Sequence, residues 1–420
     1  DKAKGMKNKI NVAIDFGSVH HEVGIIQYSK TMNRYFFAYH KEFLSTGYEI
    51  SPLTIPLADK TYEAEYIADL HGIHGVFADS LPDSWGMKVQ DIEFEKIGIY
   101  DPTPLDRLAF LGKYSMGALR YYPERTFEKG DEILNLAYLR KAVQNVIEGD
   151  VGEVVDELLH CGGSAGGARP KFLLDINKNN LQYIRYTRGG FQDEYIPVII
   201  KIPSSNDDLW QRVEFIYSKM VANAGIVIPP TYLIKGKQNN LVYFAIERFD
   251  RLKNGNNLHT TTFAGLINKS FSKEKHDYKS LLKAIEIITK DHTQVVECYK
   301  RMVFSYLGCN RDDHAKNYSF CMDNNGNWSF SPAYDIGFSK GQFGNNTMAI
   351  NGKTVNPIVK DFRVIAKEFR ISNWLQIILQ TIEALKQFPS LAKEFDLHDT
   401  IIRRIFTPIS ENLRRIEKDL

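Results

Sequence analysis

Short runs of β-branched and aromatic residues dominate the first part of the chain. Ile10–Phe16, Val23–Tyr28 and Arg34–Tyr39 carry the pattern of strands, and Gly47-Tyr48-Glu49-Ile50-Ser51-Pro52 then bends the chain. Apolar residues at helical spacing follow. Asp79–Ile97 predicts a helix that stops at Gly98, and Leu105–Leu111 predicts another that stops at Gly112. Leu134–Leu159 predicts a long helical region interrupted at Gly149-Asp150-Val151-Gly152. Strands return at Phe172–Ile176, Tyr195–Ile202, Thr231–Ile234 and Leu241–Glu247, with an amphipathic helix over Leu209–Ala224 between them. After Asp250 the pattern turns helical, most clearly over Tyr278–Thr289 and Thr293–Leu307. A hairpin, Tyr318–Met322 and Trp328–Ser331 around Asn324-Asn325-Gly326, precedes a helical tail over Phe362–Leu420 that Pro389 and Pro408 are expected to break.

At 420 residues the chain exceeds one ordinary core, which predicts two packed lobes. Its 53 basic and 51 acidic side chains nearly cancel, which argues against a nucleic-acid footprint spread over the whole protein. The cysteines Cys161, Cys298, Cys309 and Cys321 form no C-x-x-C pair, so neither a disulfide framework nor a zinc site is expected. No apolar run is long enough to cross a bilayer and no signal-peptide segment is visible. A cytoplasmic protein is the expectation, with Asp1 to Gly5 ahead of Met6 read as a tag remnant.

Three polar stations carry the chemistry. Arg311-Asp312-Asp313-His314-Ala315-Lys316-Asn317 follows an apolar helix, and Asn317 lies five positions after Asp312. In protein kinases that spacing joins a catalytic Asp to a metal-binding Asn. Asp335-Ile336-Gly337, beyond the expected hairpin, stands where a second Mg²⁺ carboxylate is needed, and a hard oxygen ligand suits that ion. Upstream, Gly162-Gly163-Ser164-Ala165-Gly166-Gly167-Ala168-Arg169-Pro170-Lys171 offers backbone amides for phosphate. It is no P-loop, since Lys171 is not followed by Ser or Thr. Val198-Ile199-Ile200-Lys201 matches the kinase V-x-I-K strand, and Glu214 is a candidate ion-pair partner for Lys201. For each station alone the bland alternative is a capped turn, a flexible loop or a solvated strand end. Asp15-Phe16-Gly17 also spells a kinase tripeptide, but it precedes the glycine loop and reads as a strand end and turn. Ile14-Asp15-Phe16-Gly17-Ser18 resembles as well the phosphate loop of the actin and sugar-kinase fold, with no second motif to support that rival.

Together these stations resemble the HipA family of bacterial serine/threonine kinases, the toxin half of a toxin–antitoxin pair. The resemblance runs from about Val23 onward. It rests on Gly163–Lys171, on Asp312-Asp313-His314-Ala315-Lys316-Asn317, and on Leu81-Pro82-Asp83-Ser84-Trp85-Gly86 and Met116-Gly117-Ala118-Leu119-Arg120-Tyr121. It implies an α+β, two-lobed protein-kinase-like fold, with a β-rich N-terminal lobe bearing a small N-terminal β module and an all-helical C-terminal lobe. The implied division is 1–9 as a disordered start, 10–125 as the HipA N-terminal subdomain, 126–250 as the rest of the N-lobe, and 251–420 as the C-lobe.

Residue by residue, the resemblance makes Asp312 the base, and Asn317 and Asp335 the Mg²⁺ ligands. Lys201 and the stretch Gly166, Gly167, Ala168, Arg169, Pro170 and Lys171, through those backbone amides that carry a hydrogen, would contact ATP phosphates. Glu247, Arg248 and Phe249 would form the hinge against adenine, with His314, Ala315, Lys316 and Tyr334 also in the nucleotide site. Ser164 would be an inhibitory autophosphorylation site, because roughly −1.5 to −2 charges added there would repel ATP. Asp313 departs from the family's usual small residue, and Arg169-Pro170 from its Gln-Glu. The implied activity is transfer of the ATP γ-phosphoryl to Ser or Thr of a cytoplasmic protein, an aminoacyl-tRNA synthetase being one candidate. A HipB-like helix-turn-helix antitoxin is the implied partner, DNA being reached only through it and no membrane being involved. A catalytically weak antitoxin-binding co-repressor and a small-molecule phosphotransferase are the alternatives.

Overall fold

The computed structural model describes residues 8–124, 134–148, 170–187, 194–237 and 240–420. Residue contacts divide the chain into two compact units. One comprises Asp1–Asp207, Ile234–Ser270 and Ser319–Trp328, the other Asp208–Leu233, Phe271–Tyr318 and Ser329–Leu420. Neither is a continuous stretch of sequence.

The first unit holds two larger sheets and, among its described residues, a smaller one. Strands β1 (Lys9–Asp15), β2 (His20–Ser29), β3 (Arg34–Tyr39), β4 (Thr61–Glu63) and β5 (Leu119–Tyr122) form an antiparallel sheet in the order β4-β3-β2-β1-β5. Its inward apolar residues, among them Val12, Ile14, Val23, Ile26 and Phe37, pack with Phe77, Leu105, Leu108 and Tyr121 into one core. Each such side chain contributes about 1.5–3 kcal/mol on burial.

The second sheet is built from β6 (Leu134–Asn135), β7 (Lys171–Asn177), β8 (Tyr183–Tyr186), β9 (Tyr195–Lys201), β10 (Thr231–Lys235) and β11 (Val242–Glu247), ordered β10-β11-β9-β7-β8-β6. Every residue of β7 is buried and all but the first of β9, which explains their unbroken apolar runs. The strand His259–Thr262 pairs with Ser319–Met322, the first arm of the expected hairpin.

Asp79–Ile97 is not one helix. A single turn, Gly75–Ala78, is separated from Ser84–Lys96 by a break at Pro82 and Asp83, and the Asp83 carboxylate caps the second helix by accepting from Gly86 N at 2.8 Å. Leu134–Leu159 is observed as a short strand and the helix Leu136–Glu148, its remainder lying outside the described residues.

The second unit centres on the helix His292–Leu307. Its buried side chains, including Tyr299, Met302, Val303 and Phe304, pack against Tyr278–Thr289 and Trp374–Lys386. Leu209–Asn223 belongs to this unit and packs on Trp374–Lys386 and Phe388–Glu394. The tail breaks at Gln387, just ahead of Pro389, as the pattern suggested, whereas Pro408 does not break it. Pro389 sits in the first turn of Phe388–Glu394, where its missing N–H has no partner to lose. Pro408 lies inside the continuous helix Asp399–Asp419, and the residue four before it, Arg404, is exposed, so water can satisfy the freed carbonyl. No described helix is long and apolar enough to cross a membrane.

Candidate functional site

In the second unit the helix His292–Leu307 is started by Asp291, whose carboxylate accepts from Thr293 N at 2.9 Å, and it ends at Gly308. The chain then enters the segment Asn310–Asn317. Asp312 is exposed, whereas its neighbour Asp313 is fully buried. Asn317 Nδ2 donates to the Asp312 carbonyl at 2.8 Å, which closes the loop 312–317 on itself and leaves Oδ1 as the amide's other end. His314 Nε2 lies 4.0 Å from Asp312 Oδ1. Burial pushes the His314 imidazole below its ordinary pKa, against the upward pull of Asp312 and Asp335. Those two carboxylates therefore act on one ring. The Tyr334 hydroxyl donates to the Lys316 carbonyl at 2.9 Å and so ties the Asp335 segment to the loop. Asp335 itself has a left-handed backbone, φ +54, uncommon for a non-glycine residue. Phe271 packs 5.4 Å from the His314 ring, and Lys316 Nζ lies 5.0 Å from its face. Ala315 is buried within the loop.

Asp313 has a different task. It accepts from the Tyr278 hydroxyl at 2.6 Å and from Thr347 N at 3.1 Å, and Tyr278 is hydrogen-bonded to Tyr318 at 2.6 Å. Burial raises its carboxyl to about 6 despite these donors.

The donor set suits magnesium and nucleotide phosphate. Asp335 and Asn317 offer a carboxylate and an amide oxygen, the hard ligands Mg²⁺ takes while phosphates and water complete its octahedron. Among the described residues no cluster of three His, Cys, Asp or Glu could hold a metal unaided. His314 Nδ1 is buried with no protein partner, an orphan that a ligand could satisfy.

In the first unit, Lys171 and Lys201 are direct register partners on β7 and β9, and both are buried. Register partners in an antiparallel pair project to the same face of the sheet, so the two side chains share one face. Pro170 is buried at the start of β7. Gly166, Gly167, Ala168 and Arg169, with Ser164, lie outside the described residues. Lys201 is in the first unit and Glu214 in the second.

Glu247 ends β11, and the two residues after it are Arg248, buried, and Phe249, half-buried. The Arg248 guanidinium is engaged bidentately by Asp250, at 2.9 and 2.7 Å. Asp250, which sequence reasoning did not single out, also accepts from Arg251 Nη1 at 2.8 Å and Gly117 N at 2.7 Å. Arg248 and Arg251 hold its carboxyl below the usual range although burial opposes them. Only the tertiary fold brings Gly117 to it.

Asp15-Phe16-Gly17 is a strand end and turn, with Gly17 N donating to Asp15 Oδ1 at 2.8 Å. Gly17, at φ +86, has Gly255 O at 2.6 Å from where a Cβ would stand, so the turn admits only glycine.

A sequence model of the HipA-like C-terminal domain matches residues 163–392, and one of the HipA N-terminal domain matches 18–122. A kinase-named protein of Haemophilus influenzae is 27% identical over 187 residues, covering 42% of this chain and 52% of that protein. The match thus spans about half the length of that curated relative. Among solved structures, the HipA–HipB–operator DNA complex of Shewanella oneidensis MR-1 contains a chain that superposes with a TM-score of 0.71 at 16% identity, over 97% of both chains. That likeness shows the shared α+β architecture.

Proposed function

This chain belongs to the HipA family, and from that premise we propose that it is an ATP-dependent protein kinase directed at serine or threonine. The observation that carries the reading is the closed loop in which Asn317 Nδ2 holds the Asp312 carbonyl while the Asp312 carboxylate stays exposed. An exposed carboxylate on a rigid turn can accept the proton of a substrate hydroxyl. As it does so, the hydroxyl oxygen bonds to the γ-phosphorus and the bond from that phosphorus to the ADP oxygen breaks. Asn317 and Asp335 would hold magnesium, which when bound neutralises phosphate charge. Lys201 and Lys171 supply positive charge suited to phosphates, and Glu247, Arg248 and Phe249 are proposed to meet adenine. Ser164 is proposed as an autophosphorylated residue. The substrate is proposed to be a cytoplasmic protein, an aminoacyl-tRNA synthetase being one candidate.

The Shewanella HipA was solved with HipB and operator DNA. A HipB-like antitoxin is accordingly proposed as the partner, with DNA reached through it and this chain acting as the toxin. Transfer of labelled γ-phosphate from Mg²⁺-ATP to protein by wild type and Asp312→Ala tests the reading. Activity lost in the variant supports it. Equal inertness of both, with antitoxin binding retained, makes the chain a binding partner instead.

A further inference from the structure

Phe343 is the most exposed large apolar side chain among the described residues, at 92%. Leaving a phenyl ring in water forgoes its burial, and Phe343 also adopts a left-handed φ of +55 that aromatic residues rarely take. It stands at the tip of the loop Ser339-Lys340-Gly341-Gln342-Phe343-Gly344-Asn345-Asn346-Thr347. Both ends of that loop are bound to the residues around the candidate base. Ser339 N donates to Cys309 O at 2.9 Å, and Arg311 Nη1 donates to Lys340 O at 2.9 Å. At the far end Thr347 N and Oγ1 donate to Arg311 O at 3.1 and 2.9 Å, and Thr347 N also reaches Asp313. The Arg311 side chain fills the underside. A Cβ on Gly341 would meet Asn345 O at 2.2 Å and the Arg311 Cβ at 2.9 Å, so only glycine fits between them, and one on Gly344 would lie 3.7 Å from the Arg311 Nη1.

Phe343 is two residues beyond Gly341, and Asp312 is one beyond Arg311. Their backbones are therefore separated by no more than about 15 Å, the reach of four to five extended residues. Lys340 is exposed and is the only charged residue of the loop, with no carboxylate among the nine. An apolar tip beside a lone positive charge, anchored to the segment that carries the base, suits an extended peptide that is apolar at one position and acidic beside it.

We propose that the loop 339–347 docks the protein substrate. Phe343 receives an apolar side chain a few residues from the phosphorylated serine or threonine, and Lys340 meets an acidic flank. This rests on the kinase reading and adds a substrate class to it.

The test uses the full chain and short fluorescein-labelled serine peptides with an acidic flank, carrying either Leu or Gly at the apolar position. Binding is followed by anisotropy, which needs no turnover. Wild type is expected to bind the Leu peptide about tenfold more tightly than the Gly peptide. Phe343→Ala should weaken the Leu peptide by the same factor and leave the Gly peptide unchanged, since the two losses share one contact. Phe343→Leu should restore most of the affinity, and Lys340→Glu should reverse the preference for an acidic flank. Equal affinities for both peptides, losses that multiply, or no peptide binding by wild type would overturn the proposal. Concentration-dependent dimerisation in ultracentrifugation that vanishes in Phe343→Ala would also overturn it, by making the tip a self-contact. Transfer of γ-phosphate to the bound peptide is scored separately. Discriminating binding without transfer removes the kinase reading and keeps the docking surface.

Discussion

Two adjacent carboxylates, Asp312 and Asp313, differ in everything but chemistry. The first is exposed and the second fully buried under Tyr278. Replacing Asp312 with Ala is expected to lower phosphoryl transfer by about 10²–10⁴-fold with little loss of stability, measured by initial rates alongside urea unfolding. Asp313 should behave in the opposite way. Burial lifts its carboxyl from 3.8 to about 6, so the folded state holds that proton more tightly than the unfolded chain. Its contribution to stability is then complete below about pH 4 and is lost as pH rises through about 6. Against Asp313→Asn, which stays neutral, wild type is expected to lose on the order of 2–3 kcal/mol of relative stability between pH 4 and 7. Parallel unfolding curves with no relative change would show that Asp313 is not protonated in the fold. In the sequence the two aspartates were told apart by their spacing from Asn317. Burial of Asp313 was invisible there, because its partners Tyr278 and Thr347 lie 35 and 34 positions away.

Elements were legible where period and composition agreed. Arg34–Tyr39 and Tyr278–Thr289 have the bounds their patterns implied, β7 differs by one residue at each end, and β9 by one residue at its C-terminal end. Misreadings came where one residue type has two opposite uses. Proline marks the break ahead of Phe388–Glu394, as the pattern suggested, yet is tolerated within Asp399–Asp419, where the pattern suggested a stop. Pro408→Ala restores an N–H to the helix interior and is expected to raise stability by about 1–3 kcal/mol, read from the urea midpoint. Asp250 is the matching case among buried polar groups. Its carboxylate accepts directly from Gly117 N and pairs with two arginines, so Asp250→Asn leaves the Arg248 and Arg251 charges buried without their counter-ion. A loss of about 3–5 kcal/mol is expected, with nucleotide affinity falling as the Glu247–Phe249 segment loosens. An Asp250→Asn protein as stable as wild type would remove that role.

The division of the chain into two units is the feature of the whole molecule that no local pattern carries, since each unit gathers three separate stretches of sequence. The proposed phosphate lysines are in one unit and the proposed base and metal ligands in the other. Mg²⁺-ATP at about a hundred times its Kd is expected to stabilise wild type by about 2.7 kcal/mol, seen as a rise in Tm. Lys201→Ala and Asp335→Ala should each abolish that rise, and a shift retained in both would remove them from the nucleotide site. By itself the sequence determined the family resemblance, the α+β class and the D-x-x-x-x-N spacing, because strand runs, helix periodicity and catalytic loops are written in neighbouring residues. Only the tertiary structure decided that Lys171 stands opposite Lys201, that Asp313 is buried while Asp312 is not, and that the loop bearing Phe343 is anchored on Arg311. Strand register, burial and loop anchoring depend on residues brought together from distant parts of the chain, and one-dimensional spacing does not record them.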